Sequence, residues 1–204
     1  VKSIYDKKEQ LNLSTEDAKL LEDLYESFKA NGATLNKDDK EKYRKLSMDL
    51  SMLTLQFDQN ALKDKNRFEL LITDENELSG LPESARDAAA MLAKSKDKNG
   101  WLFNLSAPSY IPFMRYSDKR DLREKMYREY MSVGNKGDEF DNKDIIKKIV
   151  NIRLEIAQLM GFKNYAEYAL EHTMAKNSAN VYKLLNQLLE AYKPIAINEY
   201  NAVE

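Results

Sequence analysis

Cysteine is absent from these 204 residues, histidine and tryptophan occur once each, proline four times and glycine six times. Without cysteine there are no disulfides and no thiol chemistry, a composition suited to a reducing compartment such as the cytoplasm. A single histidine, His172, excludes the pair of histidines four apart that lets one helix face grip a zinc ion. No apolar run approaches the ~20 residues of a membrane span, and no signal-peptide pattern is visible, so a membrane is not an expected partner. Neither charge dominates: 32 basic and 34 acidic residues leave a formal charge of -2, with the signs interspersed. That gives no electrostatic footprint for nucleic acid.

What is present is helix-forming sequence almost throughout. Ser14 reads as a cap with Glu16 and Asp17 in the first turn, followed by an apolar face of Leu20, Leu21, Leu24, Tyr25 and Phe28. From about Lys37 a longer helix carries Tyr43, Leu46, Leu50, Leu53 and Phe57 three and four apart, a coiled-coil-like seam. The short link between these two helices predicts antiparallel packing. Further on, Pro82 opens a helix, Ser117 caps another that stops near Gly134, and Asp141 caps a third that stops at Gly161. Asn164 with Glu167 has capping-box spacing, and a last helix starts near Ser178 and bends at Pro194. Phe68–Ile72 and Trp101–Leu105 are strand candidates that pair into one small β ribbon, burying Trp101 or Phe103. Pro108 and Pro112 make the segment between them an irregular connector. The fold class is mainly α, a multi-helical array with antiparallel helix pairs and one small ribbon, forming a single helical region over 1–204.

Few side chains read as chemistry. Ser95, Asp97, Asn99 and Gly100 match the start of a calcium loop, but Ser106 stands where the bidentate glutamate belongs. Met48, Met52 and Met91 read as core filler. Arg153 and Glu155 sit among apolar neighbours, either facing a channel or pairing with charges on adjacent helices. Tyr110 and Tyr165 carry polar tips able to donate to a substrate carbonyl. The chain opens on Val1, and helical-looking sequence runs into Glu204, so both ends read as cuts.

Three stretches together resemble the thimet oligopeptidase and peptidyl-dipeptidase (Dcp) family of zinc metallopeptidases, across essentially the whole chain. They are Glu77–Pro82, Trp101–Pro112 with its Pro108-Ser109-Tyr110-Ile111-Pro112 connector, and the region of Arg153, Ala157, Leu159, Gly161, Phe162, Tyr165–Tyr168 and Met174–Lys176. Leu35–Asn60 also resembles a long helix of that family's N-terminal half, and the peptidyl-dipeptidase branch looks the closer. The resemblance implies a helical enzyme of two halves around a deep channel, with zinc, its ligands and a general-base glutamate in the C-terminal half. On that expectation this chain is the N-terminal half only. It holds no catalytic or metal residue, its partners are the missing catalytic half and an oligopeptide substrate, and Tyr110, Arg153 and Tyr165 line the substrate channel. The alternative is a non-enzymatic helical scaffold that binds a partner helix or peptide.

Overall fold

Sequence so poor in breakers folds into nine α-helices and one two-stranded ribbon among the described residues; the computed structural model describes residues 1–203. The chain divides into two compact units, residues 1–51 together with 150–204, and residues 52–149. Two helices, α3 (Lys37–Arg67) and α7 (Lys143–Leu159), run through the boundaries.

The first unit holds α1 (Lys2–Tyr5), α2 (Thr15–Ala30), the start of α3, the end of α7, α8 (Tyr165–Leu170) and α9 (Ser178–Asn201). Ser14 caps α2 as expected, its Oγ accepting from the Asp17 amide at 3.1 Å. The Tyr5 and Tyr25 rings stack at 3.8 Å and hold α1 on α2. The apolar face of α2 is left open, with Leu20, Leu24 and Phe28 all exposed. α9 begins where expected, Asn177 Oδ1 accepting from the Asn180 amide at 3.0 Å, and contains Pro194. Its Leu184, Leu185, Leu188 and Tyr192 are exposed as well.

The second unit carries the main core. β1 (Leu70–Ile72) pairs antiparallel with β2 (Trp101–Phe103), Leu70 opposite Phe103 and Ile72 opposite Trp101. The ribbon therefore forms where the sequence places it, and of the two aromatics Phe103 is the one fully buried. α4 (Glu83–Ser95) packs on β2, α5 (Ala107–Tyr116) on α4, and α6 (Arg120–Met131) on α5. Phe103 meets Phe113 edge-on at 4.8 Å, and Leu78, Leu81, Leu105 and Met126 close the cluster. Apolar burial of this kind supplies the main driving force of the unit.

The seam of α3 is real: Leu46 is buried, and Tyr43, Leu50, Leu53 and Phe57 are half-buried. Three expectations fail. Pro108–Pro112 is not an irregular connector but the body of α5. Asn104 Oδ1 accepts from the Ser106 amide and hydroxyl, and Ser109 Oγ accepts from the Asn104 amide, so the helix start is locked. Pro108 falls in the first turn, where its missing N–H costs nothing. Pro112 lies inside and costs about 3 kcal/mol. Burial of Phe113, worth about 2–3 kcal/mol, and the local hydrogen bonds among Asn104, Ser106 and Ser109, each net about 1 kcal/mol, offset it. Met48, Met52 and Met91 are not core filler: they are 58%, 68% and 73% exposed, on the outward sides of α3 and α4. Ser117 and Asp141 each miss the cap position. Ser117 bonds the Lys119 amide ahead of α6, and the residue directly before α7 is Asn142, whose side chain has another task.

Candidate functional site

Of the three residues expected to line a channel, two meet in the first unit. α7 ends in paired bonds, from the Phe162 amide to Ala157 O at 2.8 Å and from the Gly161 amide to Gln158 O at 3.0 Å. This is the Schellman closure, with Gly161 in the left-handed region at φ +89°. Asn164 then caps α8, its Oδ1 accepting from the Glu167 amide at 3.0 Å. The chain is thereby folded back so that Tyr165, first residue of α8, lies under the Arg153 guanidinium of α7, 5.2 Å from ring centroid to the charged carbon. Arg153 is exposed and Tyr165 half-buried, so the cation–π contact orients the guanidinium while leaving its N–H groups open. Such a fork suits a peptide carbonyl or carboxylate. Glu155, which shares the helix, is exposed.

Behind that pair stands an aromatic corner. Phe162 meets Tyr168 edge-on at 5.5 Å, and Tyr165 lies 5.8 Å from Tyr168. The Tyr168 hydroxyl donates to the Ala30 carbonyl at 2.8 Å, tying α8 to the end of α2. Burial, with Tyr43 alongside, pushes the Tyr168 phenol well above its ordinary range. The Glu167 carboxylate, which a full capping box would turn back on Asn164, instead accepts from Ser178 Oγ and links α8 to α9.

Tyr110 belongs to the second unit. Its ring stacks on Tyr130 of α6 at 4.2 Å and 17°, and Lys65 Nζ stands 6.0 Å from the Tyr130 centroid. Burial and the neighbouring Tyr130 and Tyr127 push its phenol up, which keeps it a neutral donor.

The sequence reading missed a polar hub in the second unit. Past Phe57 the seam of α3 continues at the same three- and four-residue steps to Asn60 and Asp64, and both are buried. Asp64, with no exposure, accepts from the Gly134 amide at 2.7 Å, from Arg67 Nε at 2.7 Å and from Lys136 Nζ at 3.1 Å. Lys136 also pairs with Glu129 at 2.7 Å, and Arg67 with Asp138. Burial works against the Lys136 charge, but the two carboxylates outweigh it and its pKa is raised. Asn60 Nδ2 donates to Asn142 Oδ1, and Asn142 Nδ2 to the Phe57 carbonyl, both at 3.1 Å. The signal in the sequence is the heptad-like spacing itself, which continues from Phe57 through the polar residues Asn60 and Asp64.

The zinc implied by the resemblance finds no fitting residues here. His172 is exposed just after α8, its Nε2 3.4 Å from the Glu171 carboxylate, and among the described residues no group of three or more His, Asp or Glu is placed to hold a metal ion. Ser95–Gly100 is a polar turn, with Ser95 Oγ donating to Leu92 O and Asp97 at φ +54°.

The family model described as peptidase family M3 matches residues 113–204. Oligopeptidase A of Salmonella typhimurium is 37% identical over 186 residues, covering 89% of this chain and 27% of that protein. The probable cytosolic oligopeptidase A of Arabidopsis thaliana is 38% identical over 181 residues, covering 85% of this chain and 26% of the relative. Dipeptidyl carboxypeptidase of Escherichia coli is 29% identical over 205 residues, covering 100% of this chain and 30% of the relative. The chain thus spans about a quarter of the length of the oligopeptidase A relatives.

Proposed function

Since this chain belongs to peptidase family M3, we propose that it forms the N-terminal, channel-wall part of a zinc metallopeptidase that hydrolyses short oligopeptides. The observation that carries this reading is the likeness over most of the chain to relatives named oligopeptidase A. In this reading the metal, its ligands and the general base are supplied by sequence beyond these residues, and the chain by itself cleaves nothing. Its own contribution is to hold an extended peptide and limit its freedom, which lowers the entropic cost of reaching the reactive geometry. Arg153 over Tyr165 is the proposed contact to a peptide carbonyl or terminal carboxylate, and Tyr110 a proposed neutral donor.

Release of C-terminal dipeptides is the narrower form of the proposal. It is supported by the dipeptidyl carboxypeptidase of Escherichia coli, which aligns over the whole chain. The greater identity lies with the oligopeptidase A proteins, so the broader oligopeptidase reading is the better supported of the two.

Two measurements test this. Elemental analysis of the purified chain is expected to find no stoichiometric zinc; one tightly bound zinc per chain overturns the division of labour. The product of the complete reading frame is expected to carry an HExxH motif past position 204 and to cut blocked peptides. Mass spectrometry of the products distinguishes C-terminal dipeptides from internal fragments. A frame without that motif, giving an inert product, favours a partner-binding scaffold instead, for which the exposed apolar side chains of α9 are the natural surface.

A further inference from the structure

Along α6 the sequence Arg120-Asp121-Leu122-Arg123-Glu124-Lys125-Met126-Tyr127-Arg128 turns Met126 fully inward. The opposite arrangement of its polar residues opens a groove of about 480 Å³ lined by Met114, Arg120, Arg123, Glu124, Tyr127 and Arg128. Three guanidinium groups face one carboxylate there. Arg128 Nε pairs with Glu124 at 2.7 Å, which cancels one charge and leaves two cations. Arg123 is half-buried and tethered, its Nη1 donating to the Ser117 carbonyl, so its planar fork is held in place with other N–H groups free. Arg120, one turn earlier, is exposed, and its side chain makes no ion pair or hydrogen bond among the described residues.

This is an unbalanced arrangement. Like charges one helical turn apart repel, and a chain with a formal charge of -2 has carboxylates enough to neutralise them. Two guanidinium forks, one pre-oriented and one unoccupied, match an oxyanion through paired, charge-assisted hydrogen bonds. Met114 and the exposed Tyr127 ring add apolar contact beside the charges.

We propose that this groove on α5 and α6 binds the side-chain or terminal carboxylates of acidic oligopeptides, with Arg120 and Arg123 as the recognising forks. That the ligand is a peptide rests on the oligopeptidase reading; that it is an oxyanion rests on the groove alone. An inorganic phosphate would share the charge chemistry but make no use of Met114 and Tyr127.

The test is fluorescence anisotropy on the full chain with a labelled, acetylated tetraglutamate peptide, its tetraglutamine counterpart, and pyrophosphate as competitor. Tetraglutamate is expected to bind, more weakly as salt screens the charges, and tetraglutamine not to bind. Arg120→Gln, which breaks no ion pair or hydrogen bond among the described residues, is expected to weaken binding roughly tenfold, the effect of losing one charge-assisted pair. R123Q is expected to weaken it further. An unchanged circular dichroism melt for R120Q certifies the fold. Equal affinity for the two peptides, full affinity in R120Q, or binding of pyrophosphate without tetraglutamate overturns the proposal. Because the readout is binding, it separates from the parent reading: retained binding beside an inert full-length product sinks the peptidase, and cleavage without binding sinks the groove.

Discussion

Asp64 is the residue on which the second unit's polar architecture turns. A carboxylate with no solvent exposure is tolerable only if its lone pairs are met, and here an amide, a guanidinium and an ammonium meet them. Removing it leaves the half-buried Lys136 with Glu129 alone and the Gly134 amide without an acceptor. Asp64→Ala is therefore expected to cost about 3 kcal/mol in chemical denaturation, the penalty of breaking a buried ionic cluster from one side. Asp64→Asn keeps one acceptor oxygen but turns its NH2 toward the remaining N–H donors, so it should recover only part of the loss seen with alanine. A cost under ~1 kcal/mol for alanine, the level of a surface pair, would mean that the hub contributes no more than exposed ion pairs do.

At the scale of elements, the turn at Ser79–Gly80 holds the segment before α4 against the link between α5 and α6. Ser79 Oγ donates to Asp118, the Asp118 amide donates to the Ser79 carbonyl at 2.9 Å, and Gly80 takes φ +83° between them. A Cβ on Gly80 would collide with the Tyr116 carbonyl oxygen and crowd the Asp118 carboxylate at 2.9 Å. Gly137 is the built-in comparison, with φ +73° but nothing within 4 Å of its Cβ. Gly137→Ala should show only the left-handed strain, about 1–2 kcal/mol. Gly80→Ala should cost distinctly more, because a backbone oxygen cannot swing aside. Equal midpoint shifts in denaturant would rule out close approach as the reason for glycine at position 80. Elements of this kind were unevenly legible in the sequence. Caps at Ser14 and Asn164, the stop at Gly161 and the β ribbon follow from local rules, so they were readable. α5 was not, because its two prolines argue against helix while the lock that permits it comes from Asn104 and the burial of Phe113. Met48, Met52 and Met91 read as core in the sequence because residue type reports affinity for apolar surroundings and not whether a helix face finds a neighbour. Arg153 with Tyr165 was legible as a pair of candidates, whereas their contact depended on the αL closure that turns α8 back onto α7.

Across the whole molecule, apolar burial is distributed unequally. The core cluster from Phe68 to Met126 lies within the second unit, whereas α2 and α9 of the first contain no buried residue at all. Local opening free energy follows buried apolar contact, so the two units should differ in how their amides exchange with solvent. In native-state hydrogen exchange, the slowest amides are expected in β1, β2 and the buried faces of α4 and α6, opening only with the unfolding of that unit. Those of α2 and α9 should exchange through small openings that respond weakly to denaturant, since little surface remains for them to expose. If α9 is covered by a further part of a peptidase, its amides in the complete protein should gain protection, while those of β1 and β2 stay as they are. Protection of α9 that already equals that of β2 in the isolated chain would defeat both the asymmetry and the need for a covering partner. An α9 that stays fast in the complete protein would leave the asymmetry standing and remove the cover.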